Sequence, residues 1–210
     1  YKGGIIVPII QTLLLTVLAL SIERYFALRS AFGKGSLSKF VANIKDALAA
    51  GDMKKAQEIC DKQRGSVANV VTSTLHKYKK MEKNTSLPKE QKLFAIQKEL
   101  EEATALEMPM MQQNLPIIAT ITTLGTLMGL LGTVIGMIRS FAALSAGGGT
   151  DSMALSQGIS EALINTAFGI LTGALAVIAY NYYTNKIDKL TYSLDEVGFS
   201  IVQTFAASHK

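Results

Sequence analysis

EALINTAFGILTGALAVIAYNYYTNK, the stretch from Glu161 to Lys186, decides how this 210-residue chain is read. Between its two charged ends lie 24 uncharged positions, 162 to 185. As a helix at about 1.5 Å per residue they are long enough to cross about 30 Å of hydrocarbon. A carboxylate at the head of such a run is costly unless it meets water, a partner or a proton, so Glu161 is a candidate functional group from the outset.

Two further stretches pass the same length test without a charge, Ile5 to Ile22 and Leu115 to Ile138. The first has the form of a secretory signal, but Glu23, Arg24 and Tyr25 stand where a small-residue cleavage site belongs, and two more spans follow. It reads as an anchor. The chain opens on Tyr1 instead of an initiator Met, which leaves room for residues ahead of it. The expected fold is an all-α membrane protein with three transmembrane helices and a helical cytoplasmic domain, its long second and third helices extending into the cytoplasm.

Charge sets the expected topology. Hydrophobic residues make up 49% of the chain, Trp is absent and the net charge is +5. Of 21 Lys and Arg, 16 lie between Arg24 and Gln112 and three more follow Tyr183, leaving Lys2 and Arg139 outside. The positive-inside rule puts residues 24–112 and the C-terminus in the cytoplasm, with the N-terminus and the 143–157 loop outside. The expected layout is therefore a first span over 1–23, a cytoplasmic helical domain over 24–112, a second span over 113–142 and a periplasmic loop over 143–157. A third span over 158–185 and a cytoplasmic C-terminal helix over 186–210 complete it. Ten acids interleave with the bases of the 24–112 segment and no aromatic-basic patch accompanies them, which argues against nucleic acid as a partner.

Cys60 is the sole cysteine, so no disulfide framework forms within the chain, and it reads as a small core residue. His76 and His209 lack Cys or acidic companions at ligand spacing, and no metal site or cofactor is expected.

The cytoplasmic segment reads as helical. Ser36 is placed to cap a helix whose apolar residues Leu37, Phe40, Val41, Ile44, Ala47 and Leu48 recur at helical spacing up to Gly51. Asp52 caps a second with Met53, Ala56, Ile59 and Cys60, which Gly65 stops. Ser66 opens a third carrying Val67, Val70, Val71, Leu75 and Tyr78. Each has one face to bury, which predicts a compact bundle. Asn84 to Pro88 is a polar linker. From Lys89 a helical pattern through Leu93, Ile96, Leu100 and Ala103 runs toward the second span, crossed by Pro109 and Pro116. If unbroken to about Phe141, it is on the order of 80 Å long. Gly147 to Gly149 suit a turn in the outer loop.

The polar chemistry lies on the second and third spans. Thr122, Thr126, Gly129, Thr133, Gly136 and Ser140 follow at intervals of three or four and share a helix face, beside a row of Gly125, Gly129, Gly132 and Gly136. Close packing of the small-xxx-small kind accounts for the glycines. The threonines either line a polar path or simply bond the carbonyl four residues back. On the third span Ala162, Thr166, Gly169, Gly173 and Ala176 form a small face, while Glu161, Asn165 and Thr172 form a polar stripe with Phe168 between them. One helix of the same chain covers one of these faces, and a second subunit or a pore is expected to cover the other. Glu161 itself has two readings: a pore-facing acid, or a helix-start acid at the water interface favoured by the helix dipole.

At these residues the chain resembles the ExbB/TolQ/MotA proton-channel superfamily, and within it the ExbB and TolQ branch. The resemblance rests on Ser21-Ile22-Glu23-Arg24-Tyr25-Phe26 and on Gly129-Leu130-Leu131-Gly132-Thr133-Val134-Ile135-Gly136-Met137-Ile138. It continues in Gly158-Ile159-Ser160-Glu161-Ala162-Leu163-Ile164-Asn165-Thr166-Ala167-Phe168-Gly169 and Ala179-Tyr180-Asn181, with Ala49-Ala50-Gly51-Asp52 and Ala56 to Cys60 in the loop. It implies a homopentamer in the bacterial inner membrane around the single spans of two ExbD-like subunits. It also implies a TonB-like energy transducer driven by the proton-motive force to support import across the outer membrane. Thr133, Thr166 and Glu161 match the family's functional positions and would line the proton route, with Thr122, Thr126, Asn165 and Thr172 as secondary pore-facing candidates. Gly125, Gly129, Gly132, Gly136, Gly169 and Gly173 are the helix-packing candidates. The family usually has proline where Thr126 stands and a small residue where Asn165 stands, so this face is more polar than the resemblance leads one to expect.

Other classes fit less well. Gly158-Ile159-Ser160 resembles a serine nucleophile motif, yet neither histidine lies near a span and no second membrane acid offers an aspartyl pair, so an enzyme is not expected. A non-conducting scaffold whose polar faces serve only packing is the stronger rival. A MotA-type stator is expected to have four spans and this chain offers three. A TolQ-like role in envelope maintenance and an ExbB-like role in import are not separated by these residues, though the pattern leans toward ExbB.

Overall fold

A computed structural model describes residues 4–146 and 152–208, and shows seven helices among them. They are α1 (Ile6–Phe32), α2 (Leu37–Ala49), α3 (Met53–Gln63), α4 (Gly65–Lys83), α5 (Lys89–Gln112), α6 (Leu115–Ala146) and α7 (Ser152–Ser208). The Gly147 to Gly149 turn expected in the loop, together with Lys2 and His209, lies outside the described residues. The regular structure among the described residues is all helical, and three of these helices are long and apolar enough to cross a membrane. It divides into two compact units.

The first unit comprises the chain up to Arg24 together with Asn114–Tyr183, and so holds the apolar parts of α1, α6 and α7. The second comprises Tyr25–Gln113 and the chain from Thr184 on. Its core follows the expected periodicity: Phe40, Val41, Ile44, Ala47 and Leu48 of α2, Ala56 and Cys60 of α3, and Val67, Val70, Val71, Leu75 and Tyr78 of α4 are all buried. The C-terminal half of α7 adds Ile187, Leu190, Leu194, Val197, Ile201 and Phe205, spaced three and four apart to keep one face inward. Tyr78 and Phe205 meet edge to face, ring centroids 4.9 Å apart.

Caps and turns explain where these helices end. The backbone N–H of Lys55 donates to the Asp52 carboxylate at 2.9 Å, so Asp52 is the N-cap its position suggests. Ser36 takes the N-cap position of α2 without a side-chain hydrogen bond. Pro88 stands one residue before α5, just outside the first turn. Gly33, at φ +74°, ends α1, and there the Lys34 N–H donates to the Gln63 carbonyl at 2.6 Å while the Gln63 amide donates to the Phe32 carbonyl at 2.8 Å. A Cβ at Gly33 would collide with the carbonyls of Gln63 and Arg64, so this corner admits only glycine.

Several boundaries differ from the sequence expectation: α4 begins at Gly65 itself, α6 runs to Ala146 and α7 starts at Ser152 inside the expected 143–157 loop, and α7 carries the expected third span and C-terminal helix as one helix. The run α1 extends ten residues past Ile22 to Phe32, carrying Glu23, Arg24 and Arg29 within one helix. The run expected from Lys89 to about Phe141 is two helices, not one. Gln113 leaves helical geometry at ψ 139° and Asn114 adopts φ +65°. Asn tolerates the left-handed region, and Pro116 then falls in the first turn of α6, where its missing N–H costs nothing. Pro109, by contrast, is carried inside α5.

Candidate functional site

The site is built from the α6–α7 seam of the first unit, and glycines set its closeness. Gly125, Gly129, Gly132 and Gly136 of α6 all face α7, and Gly158, Gly169 and Gly173 of α7 face back. A Cβ added to Gly129 would lie 2.9 Å from the Gly169 Cα, and one added to Gly169 would lie 2.6 Å from the Gly129 Cα. The two backbones are therefore in direct contact, the arrangement that small residues permit between membrane helices.

That contact brings two hydroxyls together. Thr133 Oγ1 of α6 and Thr166 Oγ1 of α7 are hydrogen-bonded. Thr133 Oγ1 also lies 3.1 Å from the Gly129 carbonyl four residues back. A hydroxyl carries one proton, so when Thr133 donates to Gly129, Thr166 donates to Thr133. The other threonines are satisfied within their own helix: Thr122 donates to Ile118, Thr126 to Thr122 and Thr172 to Phe168, at 3.2, 3.3 and 2.8 Å. Among the sequence candidates only Thr133 and Thr166 are joined to each other across the seam by a side-chain hydrogen bond.

Exposure separates the candidates further. Thr126 is exposed, and Thr122, Thr133 and Thr166 are half-buried. Asn165 and Thr172 are fully buried, as is most of Glu161. One chain thus encloses Asn165 and Thr172 of the polar stripe together with Ala162, Gly169, Gly173 and Ala176 of the small face, where the sequence argument left one of the two faces to a second subunit or a pore. Asn165 lies against Gly132, and neither its amide oxygen nor its nitrogen has a hydrogen-bond partner.

Glu161 has its partner in the same chain. Arg139 Nη1 of α6 donates to Glu161 Oε1 at 2.9 Å. Gly4, at φ +63°, sits directly on this carboxylate, so closely that a Cβ there would overlap Oε1 and lie 3.2 Å from Arg139 Nη1. One residue along, the buried Ser140 hydroxyl is within reach of the Gly136 and Leu155 carbonyls at 3.1 and 3.2 Å. Arg139 and Gly4 were not among the site residues expected from sequence. A signal existed for Arg139: it directly follows the uncharged run of α6 as Glu161 directly precedes that of α7, so the two charges close the same end of an antiparallel pair.

The opposite end of this unit is polar too. Glu23 and Arg24 form an ion pair, Asn114 Nδ2 donates to Glu23 Oε2 at 3.2 Å, and Tyr183 Oη donates to the Ser21 carbonyl at 2.6 Å. Arg24 is buried, at 1% exposure, where chain ends of this kind are usually wet. The uncharged layer of the unit is bounded by charged and hydrogen-bonded residues on both sides.

No group of three or more His, Cys, Asp or Glu among the described residues is arranged to hold a metal ion. Cys60 is buried in the second unit, and burial pushes its thiol up from 9.0 to about 11, away from thiolate chemistry.

Residues 66–196, well over half the sequence, match the MotA/TolQ/ExbB proton channel family. The chain belongs to that family. Among curated relatives it is similar to the putative biopolymer transport protein ExbB-like 3 of Synechocystis, 37% identical over 40% of this chain and 41% of that protein. It is also similar to the putative ExbB homolog of Methanothermobacter thermautotrophicus, 25% identical over 89% of this chain and 62% of that protein. A third relative is the Tol-Pal system protein TolQ of Haemophilus influenzae, 34% identical over 44% of this chain and 46% of that protein. The chain spans roughly two fifths to three fifths of the length of these relatives. ExbB names predominate, but at these identities the ExbB and TolQ roles are not resolved. As a family member with three candidate spans the chain is a multi-pass membrane protein of a channel family, not an enzyme.

Proposed function

We propose that this chain is the channel-forming subunit of an inner-membrane motor that couples the proton-motive force to a TonB-type transducer serving outer-membrane import. In this reading five copies surround the spans of two ExbD-like subunits, with the N-terminus periplasmic and the second unit in the cytoplasm. The proton-motive force would supply about 2.3 kcal/mol per charge for each 100 mV of membrane potential. The observation that carries the reading is the Thr133–Thr166 hydroxyl pair on the seam of a chain that belongs to a proton channel family. A half-buried hydroxyl pair can both accept and donate, which suits a proton route where a purely apolar seam would not. The predominance of ExbB names supports import over envelope maintenance. A TolQ-like role keeps support from the TolQ of Pseudomonas aeruginosa, 24% identical over 87% of this chain and 81% of that protein.

The test is replacement of Thr133 and Thr166 by Val, near-isosteric without the hydroxyl. A conduit keeps its assembly and loses proton-driven work, measured as energy-dependent uptake in cells lacking the native gene. A scaffold loses assembly or nothing, and that result overturns the reading. Native mass spectrometry of the complex checks the subunit count and the single-span partner.

A further inference from the structure

Arg139 is where the structure goes beyond the family reading. It is the one base that directly abuts the uncharged run of α6, it donates to Glu161 at 2.9 Å, and Gly4 closes over the pair. Its own side chain is 54% exposed, while that of Glu161 is 12% exposed. The arginine therefore reaches in from an exposed position to hold an enclosed carboxylate. Gly4, Arg139 and Glu161 belong to the start of the chain, to α6 and to α7, so the contact also ties three segments at one end of the unit.

We propose that Arg139 is a positioning residue, a latch that holds the Glu161 carboxylate turned beneath Gly4, and that Glu161 is free to take part in proton movement only when this pair opens. The physical reason is selective stabilisation. The Arg139 guanidinium, hydrogen-bonded at 2.9 Å, fixes where this enclosed carboxylate points, and breaking the pair would leave it without its partner. Gly4 adds a steric wall on the second side, since no side chain fits between the backbone and Oε1. Wherever Glu161 must exchange a proton, the arginine has to leave first. This inference rests on the channel reading for its consequence, but the latch itself can be observed without conduction.

Two readouts decide it, on the complex purified from membranes with the subunits that accompany this chain. The first is labelling by dicyclohexylcarbodiimide, which attacks protonated carboxyls in apolar surroundings, with Glu161 followed by mass spectrometry. A latch closed in about nine molecules of ten predicts that Arg139→Gln raises labelling about tenfold, because the competent fraction rises by that factor. Gly4→Ala, which leaves the arginine in place but displaces the carboxylate, is expected to raise it as well. Arg139→Lys, which keeps the cation, stays near wild type. The second readout is acidification of phosphatidylethanolamine and phosphatidylglycerol vesicles under an imposed potential, where Arg139→Gln should leak faster and Arg139→Gln with Glu161→Gln should not. Labelling of Arg139→Gln at the wild-type rate overturns the latch, as does equal labelling of Gly4→Ala. Wild-type vesicles that never acidify overturn the channel reading instead, while the labelling still decides the latch.

Discussion

The hydroxyls of Thr133 and Thr166 are hydrogen-bonded across two helices whose glycine backbones touch one turn away. Because Thr133 also reaches the Gly129 carbonyl, each single Val substitution removes a different part of a three-member chain. A double-mutant cycle on unfolding should give a coupling of about 0.5–1.5 kcal/mol, the usual net worth of one such bond. A proton route asks far more of the same groups. Loss of transport well beyond what this coupling accounts for, with assembly intact, is the expected result.

The seam should be intolerant of bulk. Gly169→Leu forces a side chain into the Gly129 backbone and should cost at least about 1–3 kcal/mol, the usual penalty for overpacking. Gly51→Ala is the contrasting control: a Cβ there meets nothing within 4 Å, so its cost comes only from φ +70°, about 1–2 kcal/mol. Thermal midpoints in detergent, compared at one scan rate, should fall for both, but only Gly169→Leu should also disturb the α6–α7 contact, read by cysteine cross-linking between the helices in a Cys60→Ser background.

Asn165 predicts an unusual sign. Its amide is fully buried without a partner, and an unsatisfied buried polar group costs about 1–3 kcal/mol. Asn165→Ala removes that penalty at the price of a small void, so the thermal midpoint should stay level or rise. A fall of several degrees would show that the amide is hydrogen-bonded in the membrane, for instance to a buried water.

Cys60 should be nearly inert to thiol reagents in the folded chain at pH 8, because burial holds its thiol near 11. Maleimide labelling is expected to be slow there and to speed up on denaturation. The linkage has a definite sign. Between pH 9 and 11 the unfolded thiol loses its proton before the folded one does, so the folded state binds more protons and stability falls as pH rises through that window. Cys60→Ala should flatten this part of the pH–stability curve.

Much of the fold was legible because helical periodicity and caps are local. Phe40 to Leu48, Val67 to Tyr78 and the Asp52 cap needed only neighbouring residues to be read, and each is where the pattern put it. The break at Gln113–Asn114 was harder, since two prolines drew attention while the left-handed residue was the asparagine between them. The site was legible by type and not by direction. Period and spacing placed Glu161, Asn165 and Thr172 on one stripe, but which way that stripe turns depends on the rotation of α7 against its neighbours, a tertiary property. The Arg139–Glu161 contact failed to emerge for the same reason: its members are 22 residues apart and meet only because α6 and α7 run antiparallel.

With the glycines packed into the seam, much of what α6 and α7 turn outward is hydrocarbon: Leu124, Leu127, Leu130, Leu131 and Val134 on one, Leu163, Ile170, Leu171 and Ile178 on the other. Acyl chains solvate such a surface as well as another protein does. Any neighbour docking there has to outcompete lipid on shape alone, so bilayer composition should influence assembly as strongly as a point mutation.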